Sequence, residues 1–422
     1  MTEGGSPAIE HLTPKPEALP PEELEKFRAR FPVLGRRIDD APIIYLDSAA
    51  TSLRSMDVRA AESAFDDEIG ASAHRAQHSL GLEATDKFEE ARASIAEFFG
   101  AHSEELVFTS HATHAANLVL RGTRIPSDGN IVTTEQEHHS LVLPLLDERE
   151  IRFAHVGVDG RIDPDEIAKH VDARTALVCL GHASNVTGAV QDISALVARI
   201  RRQSSARILL DCAQSAPHVD VSLRRFQVDY IMVSAHKLGG PTGVGLLLGT
   251  RDALAALTPL IRGGGAVRKV TTTGATWHEG PRRLEPGTPH AVGAIGFAAA
   301  LQLLQRVGIE KLRAHGAALA MEFDRTLGDD DRIARLGPPG TQRLPLASLY
   351  FPKLSPTVEK LAEMLSARDK IMVRAGRHCA HPFFDGIGVN GTLRASAWAY
   401  NTLQEVDAFA RAIKRILHGL RG

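Results

Sequence analysis

The chain has 422 residues, 43% of them hydrophobic and 24% charged, with a formal net charge of −2. That balance describes a globular protein with an ample core and argues against the basic excess of a nucleic-acid or membrane-surface binder. No apolar run approaches the roughly 20 residues of a bilayer span, so no membrane association is expected.

Residues 1–22 read as a flexible N-terminal arm, because Pro14, Pro16, Pro20 and Pro21 deny it a helix until the segment EELEKFRARF. The arm lacks the basic and apolar regions of a signal peptide. Short apolar runs then alternate with helix-periodic stretches. Strands are expected over 105–109, 130–134, 151–156, 176–180, 208–211, 230–234 and 244–248. Helices are expected over 82–99, closed by Gly100, and over 193–202, opened by Asp192. This alternation predicts an α/β fold with a largely parallel central sheet. From about residue 292 the texture changes to a smaller α+β domain. It has helical patterns over 293–306 and 309–327, a strand at 347–351, a helix at 357–367, strands at 371–374 and 392–397, and a final helix at 403–417. In that last helix Val406, Phe409, Ala410, Ile413 and Leu417 share one face. Cys179, Cys212 and Cys379 are too few and too scattered for a disulfide framework, and no CxxC suggests a thiolate metal site. The expected compartment is the reducing cytoplasm.

Two strand ends carry the chemistry. The run ARILLDCAQS ends its apolar stretch at Asp211, which taken alone is an ordinary strand-end carboxylate. The run YIMVSAHKLGGPTGVG delivers Lys237 between an apolar strand and a tight glycine turn. Together the two residues meet the needs of pyridoxal phosphate (PLP). The cofactor takes a lysine amine as a Schiff base, with its pKa lowered so that it serves as nucleophile and base, and a carboxylate on the ring nitrogen. Its phosphate needs backbone N–H groups at a helix N-terminus, and the turn at Ala112–Thr113 after the first strand is a natural cradle, helped by Ser234 and His236. Glu137, His138 and His139 lack metal-ligand spacing, and Gly239–Gly245 does not open a helix as a dinucleotide fingerprint would, so no metal and no dinucleotide site is expected.

The ordered motifs YLDSAAT, AHRAQH, EHHS, SNVTG, LLDCAQS, SAHKLGGPTG, IRGGGA, EPGTPH, RAGRHCAHP and LRASAWAYNT run from about Phe31 to the C-terminus. In them the chain resembles the class V, fold-type I aminotransferase superfamily, and within it the cysteine desulfurase/selenocysteine lyase family of the Suf type. The resemblance implies a large PLP-binding domain over 41–291 with a mixed, mostly parallel seven-stranded sheet. It also implies a small α+β C-terminal domain over 292–422, joined by an N-terminal segment at 23–40. Lys237 would hold the cofactor, Asp211 its ring nitrogen and Gln214 its phenolic oxygen, while His138 would stack on the ring and act in proton transfer. Ala112, Thr113, Ser234 and His236 would hold the phosphate. Thr288 would reach the phosphate of a partner subunit, making a homodimer with a shared site. Asn185 and Arg394 would fix the substrate carboxylate, His74 would lie near the substrate, and Cys379 would accept sulfur as a persulfide for delivery to an acceptor protein.

The implied reaction converts L-cysteine to L-alanine. Arg374, Arg377, His378 and His381 surround Cys379 in sequence and positive neighbours favour a thiolate, while Gly376 suggests a mobile loop. An alternative is a C–S or C–Se lyase acting by elimination on selenocysteine or a cysteine S-conjugate. Another is a non-catalytic scaffold or sulfur-relay protein, against which stands the presence of Lys237, Asp211, Gln214, His138 and Arg394 together. His114, Arg262, Arg377 and His290 depart from the family pattern and add positive charge around the expected substrate mouth or subunit seam.

Overall fold

The computed structural model describes residues 14–146, 150–328, 330–352 and 357–419. Residues 1–13 of the expected flexible arm lie outside them. The remainder of the arm is docked: the Glu17 N–H donates to Ala314 O, the Leu19 N–H donates to His315 Nδ1, each at 3.1 Å, and Leu19 is buried. Its prolines do not delay the first helix, α1 (Pro21–Arg28), because Pro21 stands at N1, where the missing N–H costs nothing.

The central sheet uses β1 (Leu106–Thr109), β2 (Asn130–Thr134), β3 (Ile151–Ala154), β4 (Thr175–Gly181), β5 (Arg207–Asp211), β6 (Tyr230–Ser234) and β7 (Gly245–Gly249). Their order is β1-β7-β6-β5-β4-β2-β3, with β7 antiparallel to both neighbours and the other pairs parallel. This is the mixed seven-stranded sheet of fold type I. Both faces are covered, so the middles of the central strands are largely apolar. Along β5, Ile208 and Leu210 join one core and Leu209 joins the other, as period-two side chains must. Helices α2 (Met56–Glu68) and α3 (Ser79–Phe98) pack on the first face, and α4 (Ala112–Gly122) and α5 (His139–Leu145) on the second. Helix α3 starts three residues before its expected position because the His78 ring accepts from the Gly81 N–H, a cap that residue type rarely signals. A further helix, α6 (Ile193–Arg201), is capped by Asp192 as expected.

Helix α7 (Ala291–Val307) packs against α2 and α3, and its buried residues belong to the large core. At Gly308 the chain bends by 82° into α8 (Ile309–Leu327), whose Leu312 still belongs to the large core while Leu319, Phe323 and Leu327 belong to the small one. An exposed hairpin, β8 (Val267–Thr271) and β9 (Gly274–Trp277), precedes α7. Beyond α8, four antiparallel strands form the small sheet: β10 (Ala334–Leu336), β11 (Leu346–Tyr350), β12 (Arg374–Gly376) and β13 (Thr392–Ser396), in the order β10-β11-β13-β12. The single strand expected at 371–374 is split. Ile371–Met372 pairs in parallel with Ile44–Tyr45, and β12 pairs with β13. Helix α9 (Leu403–Gly419) buries the five residues of its apolar face on this sheet.

The N-terminal segment joins the two units through aromatic packing. Phe31 lies 6.0 Å from Trp398 and 5.1 Å from Tyr400, ring centroid to centroid, and Arg28 pairs with Glu405 at 2.7 Å. The motifs YLDSAAT and LRASAWAYNT meet there: Ser48 Oγ and Tyr400 OH share a hydrogen bond of 2.9 Å, and Asn401 Nδ2 donates to Tyr45 O. No single helix among the described residues is long and apolar enough to cross a membrane.

Candidate active site

Parallel strands place their carboxyl ends on one sheet edge, which is where open α/β sheets bind ligands. Here β2, β4, β5 and β6 end at Thr134, Gly181, Asp211 and Ser234, and a single turn, Ala235–Lys237, follows Ser234. A cavity of about 420 Å³ opens at this edge and is closed from above by Arg374, His378 and Arg394 of the small domain. The cavity brings together most of the expected residues: Ala112, Thr113, His138, Asn185, Asp211, Gln214, Ser234, His236, Lys237 and Arg394.

Burial pushes the Lys237 amine down to about 8, with Arg394 and Arg374 acting in the same direction and Asp211 against it. A substantial share of the lysine is then neutral near pH 7–8, as a nucleophile and base requires. Burial raises the Asp211 carboxyl, while the Ala213 N–H (2.9 Å from Oδ1) and Lys237 oppose the rise. His138 caps α5. The Ser140 N–H donates to its Nδ1 at 3.1 Å, which leaves the ring proton on Nε2, and burial with Lys237 nearby pushes its pKa down to about 3. The ring is neutral, suited to lying on another ring. At the N-terminus of α4 the Ala112 N–H donates to Ser234 Oγ at 2.9 Å, so Ser234 also caps this helix, and exposed Thr113 lines the cavity beside it. His236 Nδ1 lies 3.1 Å from Thr51 Oγ1. The Gln214 side chain donates to Ala49 O at 2.9 Å.

Arg394 is the most deeply buried charge of the site, at 1% exposure. It stands opposite Arg374 across β12 and β13. Its Nη1 donates to Asn185 O at 2.8 Å and its Nη2 lies 3.3 Å from Asp47 Oδ1. Burial lowers even this guanidinium, to about 10, with Asp47 holding it up. The Asn185 side-chain amide, which lines the cavity, donates to His378 O at 2.6 Å.

That bond is one of several made by the cysteine turn, where the sequence suggests a mobile loop. His378 and Cys379 adopt consecutive left-handed conformations, φ 47° and 60°. Their turn is tethered by Asn185, by the His139 N–H donating to Cys379 O at 2.9 Å, and by His378 Nε2 against Thr392 Oγ1 at 2.9 Å. Cys379 is half-buried and its field reaches both Lys237 and Arg394. The expected ring of positive charge is thinner than the sequence suggests. Burial and the two arginines hold His378 neutral, and Arg377 pairs with Asp385 at 2.7 Å. His114 is likewise pushed toward neutrality by burial and His111.

Three expected residues are not among those lining the cavity of their own chain: Cys379, which directly follows the lining residue His378, and His74 and Thr288. His74, with φ 61°, binds Glu89 at 3.0 Å and lines a separate cavity of about 220 Å³. Thr288 is exposed between Gly287 and Pro289, which line that same cavity. Arg75 draws the two segments together by donating to Gly264 O and Gly287 O at 3.2 and 2.7 Å. Conversely, Asp47, His111, Gln136, Glu137 and Arg374 belong to the site without having been singled out for it. Only Arg374 had a usable signal, its place next to the cysteine motif.

Orphaned polar atoms mark the cavity as a ligand site. Both amide atoms of Gln136, Arg394 Nε and His378 Nδ1 are buried with no hydrogen-bond partner, and all three residues line it. An unpaired buried polar group costs about 1–3 kcal/mol, which a polar ligand offsets. The donor set fits pyridoxal phosphate: an amine of lowered pKa, a carboxylate one strand away, a neutral imidazole, and a hydroxyl-rich helix N-terminus.

The class-V aminotransferase family model matches residues 44–409. A cysteine desulfurase of Haloferax volcanii is 36% identical over 416 residues, covering 93% of this chain and 96% of that protein. One from Enterobacter sp. is 34% identical over 405 residues, covering 94% and 98%. Among solved structures, the apo cysteine desulfurase of Thermococcus onnurineus NA1 superposes with a TM-score of 0.87 at 32% identity, covering 96% of this chain and 100% of that one. The Escherichia coli cysteine desulfurase CsdA does so at 0.83 and 30%, covering 94% and 99%. The chain is therefore a member of the class-V aminotransferase family, within which these four similar proteins are cysteine desulfurases.

Proposed function

We propose that the protein is a PLP-dependent cysteine desulfurase that converts L-cysteine to L-alanine and passes the sulfur to Cys379. The observation that carries this reading is the meeting of Lys237, Asp211 and Arg394 in one cavity with Cys379 in a tethered turn at its edge. Lys237, Asp211, Gln214 and His138 would hold the ring, and Ala112, Thr113, Ser234 and His236 the phosphate. The cofactor, when bound, supplies an electron sink for the bond broken at the substrate α-carbon.

The chain's own groups supply the rest. Lys237 carries the α-proton on Nζ, Asp211 keeps a proton on the ring nitrogen, and Arg394 fixes the substrate carboxylate. The Cys379 thiolate attacks the substrate sulfur: its electron pair forms the S–S bond, the C–S pair stays on carbon, and protonation there gives alanine. Because the turn is tethered, the substrate is brought to the thiol rather than the thiol to the substrate, and Asn185 acts by holding that turn. The persulfide is then delivered to a thiol-bearing acceptor protein. His74 and Thr288 serve the cavity of a second subunit in a homodimer, and the free thiols suit the reducing cytoplasm.

Product analysis tests the reading. Purified protein with L-cysteine yields alanine and a persulfide on Cys379; pyruvate in place of alanine would establish elimination and overturn it. Arg394→Lys removes the planar fork that matches a carboxylate. KM for L-cysteine is expected to rise about 10- to 100-fold, in line with the roughly 1.5–3 kcal/mol of a charge-assisted hydrogen bond, with a smaller change in kcat. Steady-state kinetics check this, and an unchanged KM would remove Arg394 from substrate binding.

A further inference from the structure

A second carboxyl lies beside Asp211 at the strand edge, and the chemistry above leaves it unused. Glu137 follows β2 and turns back over the strand ends. Thr134 Oγ1 donates to its Oε1 at 2.7 Å, and the Gly181 N–H donates to the same carboxyl. Gly181 ends β4 and pairs with Asp211, the last residue of β5. Three neighbouring strand ends therefore carry two carboxyls into one cavity. The position is shaped for the second of them: a Cβ on Gly181 would stand 3.0 Å from Glu137 Oε2, and Glu137 is only 3% exposed. No lysine or arginine forms an ion pair with it among the described residues.

We propose that Glu137 is a positioning residue for Asp211, a second carboxyl whose charge sets how firmly Asp211 holds the proton on the ring nitrogen of the bound cofactor. The inference rests on the cofactor reading above. Burial, with Asp211 alongside, pushes the Glu137 carboxyl up to about 8, while Thr134 and the Gly181 N–H restrain it. Below that pH Glu137 is neutral; above it Glu137 adds a negative charge to the edge. The added charge tightens the hold on the ring-nitrogen proton and raises the proton affinity of the lysine linkage. The other titratable groups facing Glu137 are Asp211 from β5, Cys179 from β4, His138 next in the chain, and Lys237 across the cavity. Burial keeps His138 neutral and raises the Cys179 thiol, so neither changes charge in this window.

The test is an absorbance titration of the lysine-linked cofactor in the holoenzyme, between about pH 6 and 10. The wild-type curve carries a step near pH 8. In Glu137→Gln, which keeps the shape without the charge, that step is lost. In Thr134→Val the carboxyl remains but one hydrogen bond to its anion is gone, so the step moves to higher pH. Curves for both variants that superimpose on the wild type overturn the proposal. If Glu137→Gln takes up no cofactor, the Thr134→Val shift decides alone. A wild-type protein with no lysine-linked band after addition of PLP overturns the cofactor reading instead, so the two failures are distinct.

Discussion

Replacing Lys237 by alanine abolishes the covalent attachment of PLP and lowers L-cysteine turnover by more than about 10⁴-fold, because one amine serves as both tether and base. Borohydride treatment followed by denaturation checks it: cofactor still fixed to the Lys237→Ala chain would refute the assignment. The same lysine has a signature in the apoprotein. Its folded pKa of about 8 lies below its usual value of 10.5, so the folded state binds fewer protons than the unfolded one between those values. The penalty is therefore full below about pH 8 and fades as pH rises toward 10.5. Cofactor-free Lys237→Ala should be more stable than the cofactor-free wild type at pH 7, by on the order of 2 kcal/mol, with the gap closing at alkaline pH. Denaturant unfolding at two pH values measures it.

Cys379→Ala separates cofactor chemistry from sulfur transfer. Desulfuration is expected to fall by at least about 10³-fold, since removing the nucleophile leaves no acceptor for the substrate sulfur. The PLP absorbance persists, because Lys237 and Asp211 do not depend on the thiol for their hydrogen bonds. The turn survives too: its tethers are the Asn185 amide to His378 O, the His139 N–H to Cys379 O, and the His378 ring to Thr392, none of which uses the sulfur. Sustained sulfide or persulfide production by this variant would exclude Cys379 as the acceptor.

Asp211 and Lys237 were legible because each ends an apolar run, and the end of a buried parallel strand is a place as well as a sequence position. The order of β1–β7 was not legible: β7 inserts between β1 and β6, a pairing over more than a hundred residues that no local pattern encodes. Glu137 escaped for a related reason. In EQEHHS a glutamate beside two histidines looks like a solvated turn, and it becomes a buried acid only because Gly181, forty-four residues later, leaves room for its carboxyl. The hydrogen bond from the Asn185 amide to His378 O joins segments 193 residues apart, which no local pattern encodes. The basic look of RAGRHCAHP was misleading, because Asp385 neutralises Arg377 and burial discharges His378.

The alternation of strands and helices, the glycine turn after Lys237, the carboxylate at the end of β5 and the ordered motifs of a PLP enzyme are all readable along the chain. These rest on side-chain periodicity and on covalent neighbours, which are local properties. The packing sets the hydrogen bonds of the Cys379 turn, the burial that shifts Lys237, His138, Glu137 and His378, and the separation of His74 and Thr288 from the cavity of their own chain. Each of these depends on which distant groups exclude water or supply a hydrogen bond, and desolvation is set by what packs against a group rather than by what precedes it in the chain.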